Sequence, residues 1–167
     1  MTQHIMSICT RKRDLSYLLF FVTHVPIILL IDTVPLLPAF LQTNLSHHLR
    51  QFYITTYRDK FFEDPPTWFT VFIWMELLYH LPLSIWAVRG LLKDHPLVPV
   101  HLLVFGIQAF ITTLTSLVVV WSWTDRSVAE KQQLTMLYAP YMALGGFMAL
   151  DMVFRLRDKL MPKTKRE

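Results

Sequence analysis

Paired cysteines are absent from this chain. Cys9 is its single cysteine, which excludes an intrachain disulfide and every paired-cysteine metal or redox motif. Glycine is nearly as scarce, with four residues in 167. None forms a phosphate-cradling loop or a nucleophile elbow, so enzyme classes built on those parts are disfavoured. Charge is thin as well: 17% of residues are charged, against 53% hydrophobic and 14% aromatic, a balance too apolar for an ordinary soluble domain. Histidines 47, 48, 95 and 101 fall in loops or near helix ends without metal-ligand spacing. No repeat or low-complexity tract is evident, and neither a metal nor a cofactor is expected.

What is there is apolar length. A bilayer core about 30 Å thick needs roughly 20 mostly apolar residues per helix, and runs of that kind cover 15–37, 67–88, 100–123 and 134–154. Arg11, Lys12 and Arg13 before the first run imitate a secretory signal peptide. Asp32, Thr33, Val34 and Pro35 then stand where a cleavage site needs small residues, so a retained anchor is expected. Pro26 and Pro35 should kink or end the first helix, Pro82 interrupts the second, and Pro140 kinks the fourth beside a close-packing point at Gly145-Gly146. Residues 38–66 read as a mixed loop with room for an interfacial helix, and Asp64-Pro65-Pro66 as the start of the second span. The fold class is therefore all-α: an integral membrane four-helix bundle with kinked helices.

The net charge of +4 does not point to nucleic acid, because the basic residues flank apolar runs rather than line a polar face. They read as topology signals. Arg11 to Arg13, Arg89 with Lys93, and Arg155, Arg157, Lys159, Lys163, Lys165 and Arg166 fall on one side of a four-span path, so both termini should be cytosolic. Lys163 and Lys165 have the spacing of a dilysine retrieval signal, which points to the endoplasmic reticulum membrane; basic tails also match that spacing by chance.

Two acids lie within the apolar runs, Asp32 and Glu76. An ionised side chain at the bilayer centre costs about 3 kcal/mol on insertion scales, so each needs a partner or a purpose. Facing each other, they would share a proton and suit a protonated amine or a lipid hydroxyl in an aromatic cavity. The plainer alternative for Asp32 is that it ends the first helix at the lumenal interface. His80 follows Glu76 by one turn and His24 precedes Asp32 by about two, so both are candidates for the pocket side; a buried histidine is more often a hydrogen-bonded core residue than an acid or base. Tyr138 and Tyr141 flank Pro140 and point either inward or into an interfacial aromatic belt. Asp151 is assigned instead to an intrahelical pair with Arg155.

Four strings occur in order: His24-Val25-Pro26 with Asp32, Asp59 followed by Asp64-Pro65-Pro66-Thr67-Trp68-Phe69, Glu76 with Leu81-Pro82, and Tyr138-Ala139-Pro140-Tyr141. Together they resemble the sigma-2 receptor (transmembrane protein 97) family of the expanded emopamil-binding, or EXPERA, superfamily, over nearly the whole chain. The apolar runs and their basic flanks should divide the chain into a cytosolic segment over 1–14, one four-helix transmembrane domain of this kind over 15–154 and a basic cytosolic tail over 155–167. The resemblance implies that Asp32 binds a ligand amine with Glu76 beside it, that Asp59 orders the lumenal loop, and that Tyr138 and Tyr141 lie near the pocket wall. It further implies a homodimer in the endoplasmic reticulum with a part in sterol handling. The preferred expectation is a non-enzymatic binder of a sterol or lipophilic amine, with no catalytic residue. The superfamily also contains a sterol isomerase whose first helix carries a histidine and a glutamate one turn apart. Here His24 and Asp32 are about two turns apart, and His80 replaces a glutamine of the animal receptor. An isomerase using Glu76, His24 or His80 is the second reading, and an adaptor or chaperone for other membrane proteins the third.

Overall fold

The computed structural model describes residues 7–161, which divide into two compact units, one ending at His95 and the other beginning at Pro96. Every regular element among the described residues is helical. Four helical stretches are long and apolar enough to cross a membrane: Lys12–Asp32, Thr67–Leu92, Val98–Ser122 and Val128–Leu160. Large apolar side chains stand exposed along them, Leu19, Val71, Leu78, Val118 and Leu150 each about 60% or more, as lipid-facing surfaces should be.

The first unit is a helical hairpin with the connecting loop folded onto its closed end. Helix α1 (Lys12–Ile27) runs on into a π-helical turn, Ile28–Asp32. The first span stops there rather than continuing to 37: the Thr33 N–H and hydroxyl both donate to the Ile28 carbonyl, at 3.0 and 2.8 Å, and Pro35 opens a 3-10 turn over Val34–Leu36. The chain then forms α2 (Asn44–Tyr57), started by a reciprocal Thr43/Ser46 capping box and closed by Arg58 in the left-handed region. A short α3 (Lys60–Glu63) is capped by the Asp59 carboxylate. The next span begins at Thr67 as its prolines predict, with Pro66 rather than Asp64 at the cap. It consists of α4 (Thr67–Met75), a second π-turn (Glu76–His80) and α5 (Leu81–Leu92).

Helix α1 packs against α5, and α2 against the π-turn that ends the first span. Arg11 fixes the open end of the hairpin. Its guanidinium reaches Asp14 at 2.6 Å, Asp94 at 3.0 Å and the Leu91 carbonyl at 2.6 Å, tying the start of α1 to the end of α5. Because the two helices therefore run antiparallel, Asp32 and the start of the second span meet at the opposite end.

The second unit pairs α6 (Val98–Ser122) with α7 (Val128–Leu160). A Cβ placed on Gly106 would lie 2.7 Å from the Gly145 carbonyl oxygen and 2.9 Å from the Ala149 nitrogen, so only hydrogen fits where the two backbones touch. Thr112, Thr115 and Ser116 return their hydroxyls to carbonyls of their own helix. Asp151 pairs with Arg155 at 2.8 Å, as the i,i+4 spacing predicts.

Candidate ligand pocket

Both intramembrane acids sit on π-helical turns, Asp32 closing the first and Glu76 opening the second. A π-turn inserts one extra residue into the helical ladder, re-aims the side chains around it and is common at functional sites. The second has a visible cause. Pro82 offers no N–H, and its ring would strike the carbonyl four residues earlier in a regular helix. The chain widens just upstream, where the Leu81 N–H bonds back to the Glu76 carbonyl.

The hairpin brings Asp32 within electrostatic reach of Glu76. One Glu76 carboxylate oxygen, Oε2, is buried and has no hydrogen-bond partner among the described residues. Such an oxygen calls for a partner, because leaving it unpaired costs the full desolvation of the group. His24 and His80 form a second pair within electrostatic reach, both almost wholly buried. His24 stacks on Phe20 with ring centroids 5.0 Å apart, and His80 is tilted against Tyr79 at 5.8 Å.

A cavity of about 50 Å³ opens beside Asp32, with Leu36, Arg50, Phe62, Phe69 and Thr70 among its walls. Glu76, three residues beyond the lining Ile73, is not on the wall itself. A cavity needs about 10–15 Å³ of such space to take one water, so this one holds a small polar head; a bulky apolar body would need the surrounding aromatics to part or would lie in the bilayer.

Asp59 organises the loop over the cavity. It is wholly buried, accepts the Tyr53 hydroxyl at 2.8 Å on one oxygen and the Phe61 N–H at 3.0 Å on the other, and thereby holds Phe61 and Phe62 against Phe69. Arg50 is the residue that sequence reasoning missed. In the sequence it is one basic residue of a mixed segment, yet α2 carries it to the cavity, where it donates to the Ile31 carbonyl at 2.7 Å and stands over the Phe62 ring at 4.9 Å. Burial lowers the Arg50 pKa from its ordinary value, while Asp32, Asp59 and Tyr53 pull it back up. Tyr138 and Tyr141 belong to the second unit, half-buried on either side of Pro140 in α7. Lys163 and Lys165 lie outside the described residues.

Four spanning helices and a pair of acids set within two of them define a multi-pass membrane protein with a polar site inside its apolar segments. A profile of the EXPERA family, the expanded EBP superfamily, matches residues 45–152, and the chain belongs to that family. It is similar to efficient mitochondria targeting-associated protein 19 of Schizosaccharomyces pombe, 34% identical over 86% of this chain and 76% of that protein. It is also similar to sigma intracellular receptor 2 of Xenopus tropicalis, 26% identical over 97% of this chain and the whole of that protein. The human sigma intracellular receptor 2 is 26% identical over 84% of this chain and 85% of its own length.

Proposed function

We propose that this protein is a non-enzymatic binder of a sterol or lipophilic amine, resident in the endoplasmic reticulum membrane and acting in sterol or lipid homeostasis. Asp32 and Glu76 hold the polar end of the ligand, and the apolar body lies among the aromatic walls and the lipid. The observation that carries this reading is the Glu76 oxygen, buried and unpartnered among the described residues, within reach of a second acid. His24 and His80 complete the polar floor. Asp59 keeps the lumenal loop closed over the cavity. The flanking charges support cytosolic termini, and Lys163 with Lys165 supports retrieval to the endoplasmic reticulum. Relatives named as an intracellular receptor agree with a ligand-binding role, and assembly as a homodimer is part of the same proposal.

Equilibrium binding of a tritiated hydroxysterol and of a radiolabelled cationic amphiphile to purified protein tests this. Saturable binding is expected in the wild type. Asp32→Asn and Glu76→Gln should each weaken it about tenfold or more, since hydrogen bonds to charged groups contribute about 1.5–3 kcal/mol. Saturable binding unchanged in both variants would remove the pocket from the account.

A second reading rests on the Schizosaccharomyces pombe relative, whose name concerns efficient mitochondria targeting. On it, the chain is an adaptor or chaperone for other membrane proteins and the pocket is incidental. Cells lacking the protein would then deliver hydrophobic mitochondrial precursors slowly, and the Asp32→Asn, Glu76→Gln double variant would restore delivery in full. No restoration by that variant would tie delivery to the pocket.

A further inference from the structure

The cavity beside Asp32 contains a cation that neither spanning helix supplies. Arg50 stands on α2 with its guanidinium fixed from three directions: one nitrogen donates to the Ile31 carbonyl at 2.7 Å, the other to the Phe62 carbonyl at 3.5 Å, and the Phe62 ring lies beneath it. A guanidinium has five N–H donors and stays protonated in proteins, so after these contacts it still has N–H groups to offer. Asp32 and Arg50 line the same cavity of about 50 Å³, and no direct ion pair joins them among the described residues. The neighbouring acid, Asp59, has an oxygen on the Tyr53 hydroxyl and the other on the Phe61 N–H. The cavity is thus lined by both a carboxylate and a guanidinium.

This arrangement distinguishes between two kinds of polar head. A hydroxyl is both donor and acceptor, so a single hydroxyl satisfies both walls at once. An ammonium has donors only; it gains Asp32 but is brought against Arg50, and like charges set together oppose binding strongly. We propose that Arg50 makes this pocket select a neutral hydroxyl-bearing lipid over a cationic amphiphile, the hydroxyl donating to Asp32 and accepting from Arg50. The inference rests on the carboxylate-pocket reading above and narrows its ligand class.

The test compares three probes on purified full-length protein: a tritiated hydroxysterol, a radiolabelled diacylglycerol with its free hydroxyl, and a cationic amphiphile of similar apolar bulk. The readout is the ratio of hydroxyl-probe to amine affinity within each preparation, which does not depend on the fraction of molecules that folded. The wild type should favour a hydroxyl probe, and the two hydroxyl probes separate a sterol from a glycerolipid as its source. Arg50→Gln should move the ratio about tenfold or more toward the amine by removing the like charge. Arg50→Lys, which retains the charge, should keep the wild-type order. A wild-type preference for the amine overturns the inference without any variant, as does an unchanged ratio in Arg50→Gln. If Asp32→Asn leaves all three affinities unaltered, the pocket reading itself has failed; if Asp32→Asn weakens binding while Arg50→Gln leaves the ratio fixed, only the role of Arg50 has.

Discussion

Asp59 shows how much a single loop residue can hold. Its carboxylate is wholly buried with both oxygens engaged, one by the Tyr53 hydroxyl and one by the Phe61 N–H that begins α3. Removing it takes the acceptor away from the part-buried Tyr53 hydroxyl and from the buried Phe61 N–H, and a lost buried acceptor costs about 1–3 kcal/mol. Asp59→Ala should therefore lower the thermal unfolding midpoint clearly, and Tyr53→Phe less, because that change deletes one donor and leaves Asp59 its contact with Phe61. Equal midpoints for Asp59→Ala and wild type would show that the loop is held by its aromatic packing alone. Asp32 and Glu76 were legible in the sequence, because an acid within an apolar run has no cheap explanation. Arg50 was not, because a basic residue in a mixed segment looks solvated until α2 is folded back onto the π-turn, a contact spanning 19 residues of chain.

Among elements, the caps and close approaches decide the geometry. The fourth span was expected to begin near 134, yet α7 starts at Val128. Ser127 and Glu130 form a reciprocal capping box, with the Ser127 N–H 2.8 Å from Glu130 Oε2 and the Glu130 N–H 3.3 Å from Ser127 Oγ. That S-x-x-E signature stands in the sequence, but the first turns of α7 are polar and hydropathy alone does not see them. Ser127→Ala should cost about 1 kcal/mol, read as a small drop in midpoint. The glycines of the second unit give a sharper contrast. Gly106→Ala drives a methyl into the backbone of α7, whereas Gly146→Ala meets only the Phe110 ring at 3.1 Å, which can turn aside. Overpacking costs about 1–3 kcal/mol, so Gly106→Ala should destabilise the protein and Gly146→Ala should do so less. The opposite order would mean that α6 and α7 do not meet at Gly106. The π-turns were not legible: prolines announced an interruption at 82 and 26, but whether a helix kinks, breaks or widens depends on how its neighbours take up the freed carbonyls.

For the whole molecule, the sequence displayed the four spans plainly, because the bilayer's thickness demands length and apolarity that composition cannot hide. Direction is a prediction of its own. With the basic clusters on one side, tags at both ends should be reached by protease or impermeant label only after the cytosolic face is exposed; a terminal tag protected inside sealed microsomes would reverse the proposed topology. The central claim is that a lipid's polar head is held at Asp32 and Glu76. Photolabelling of the full-length protein in membranes with a diazirine hydroxysterol, followed by peptide mapping, tests it most directly. The account predicts label concentrated in residues 61–76, suppressed by excess unlabelled sterol and by Asp32→Asn. Label spread along exposed residues of the spans, indifferent to competitor and to Asp32→Asn, would contradict it.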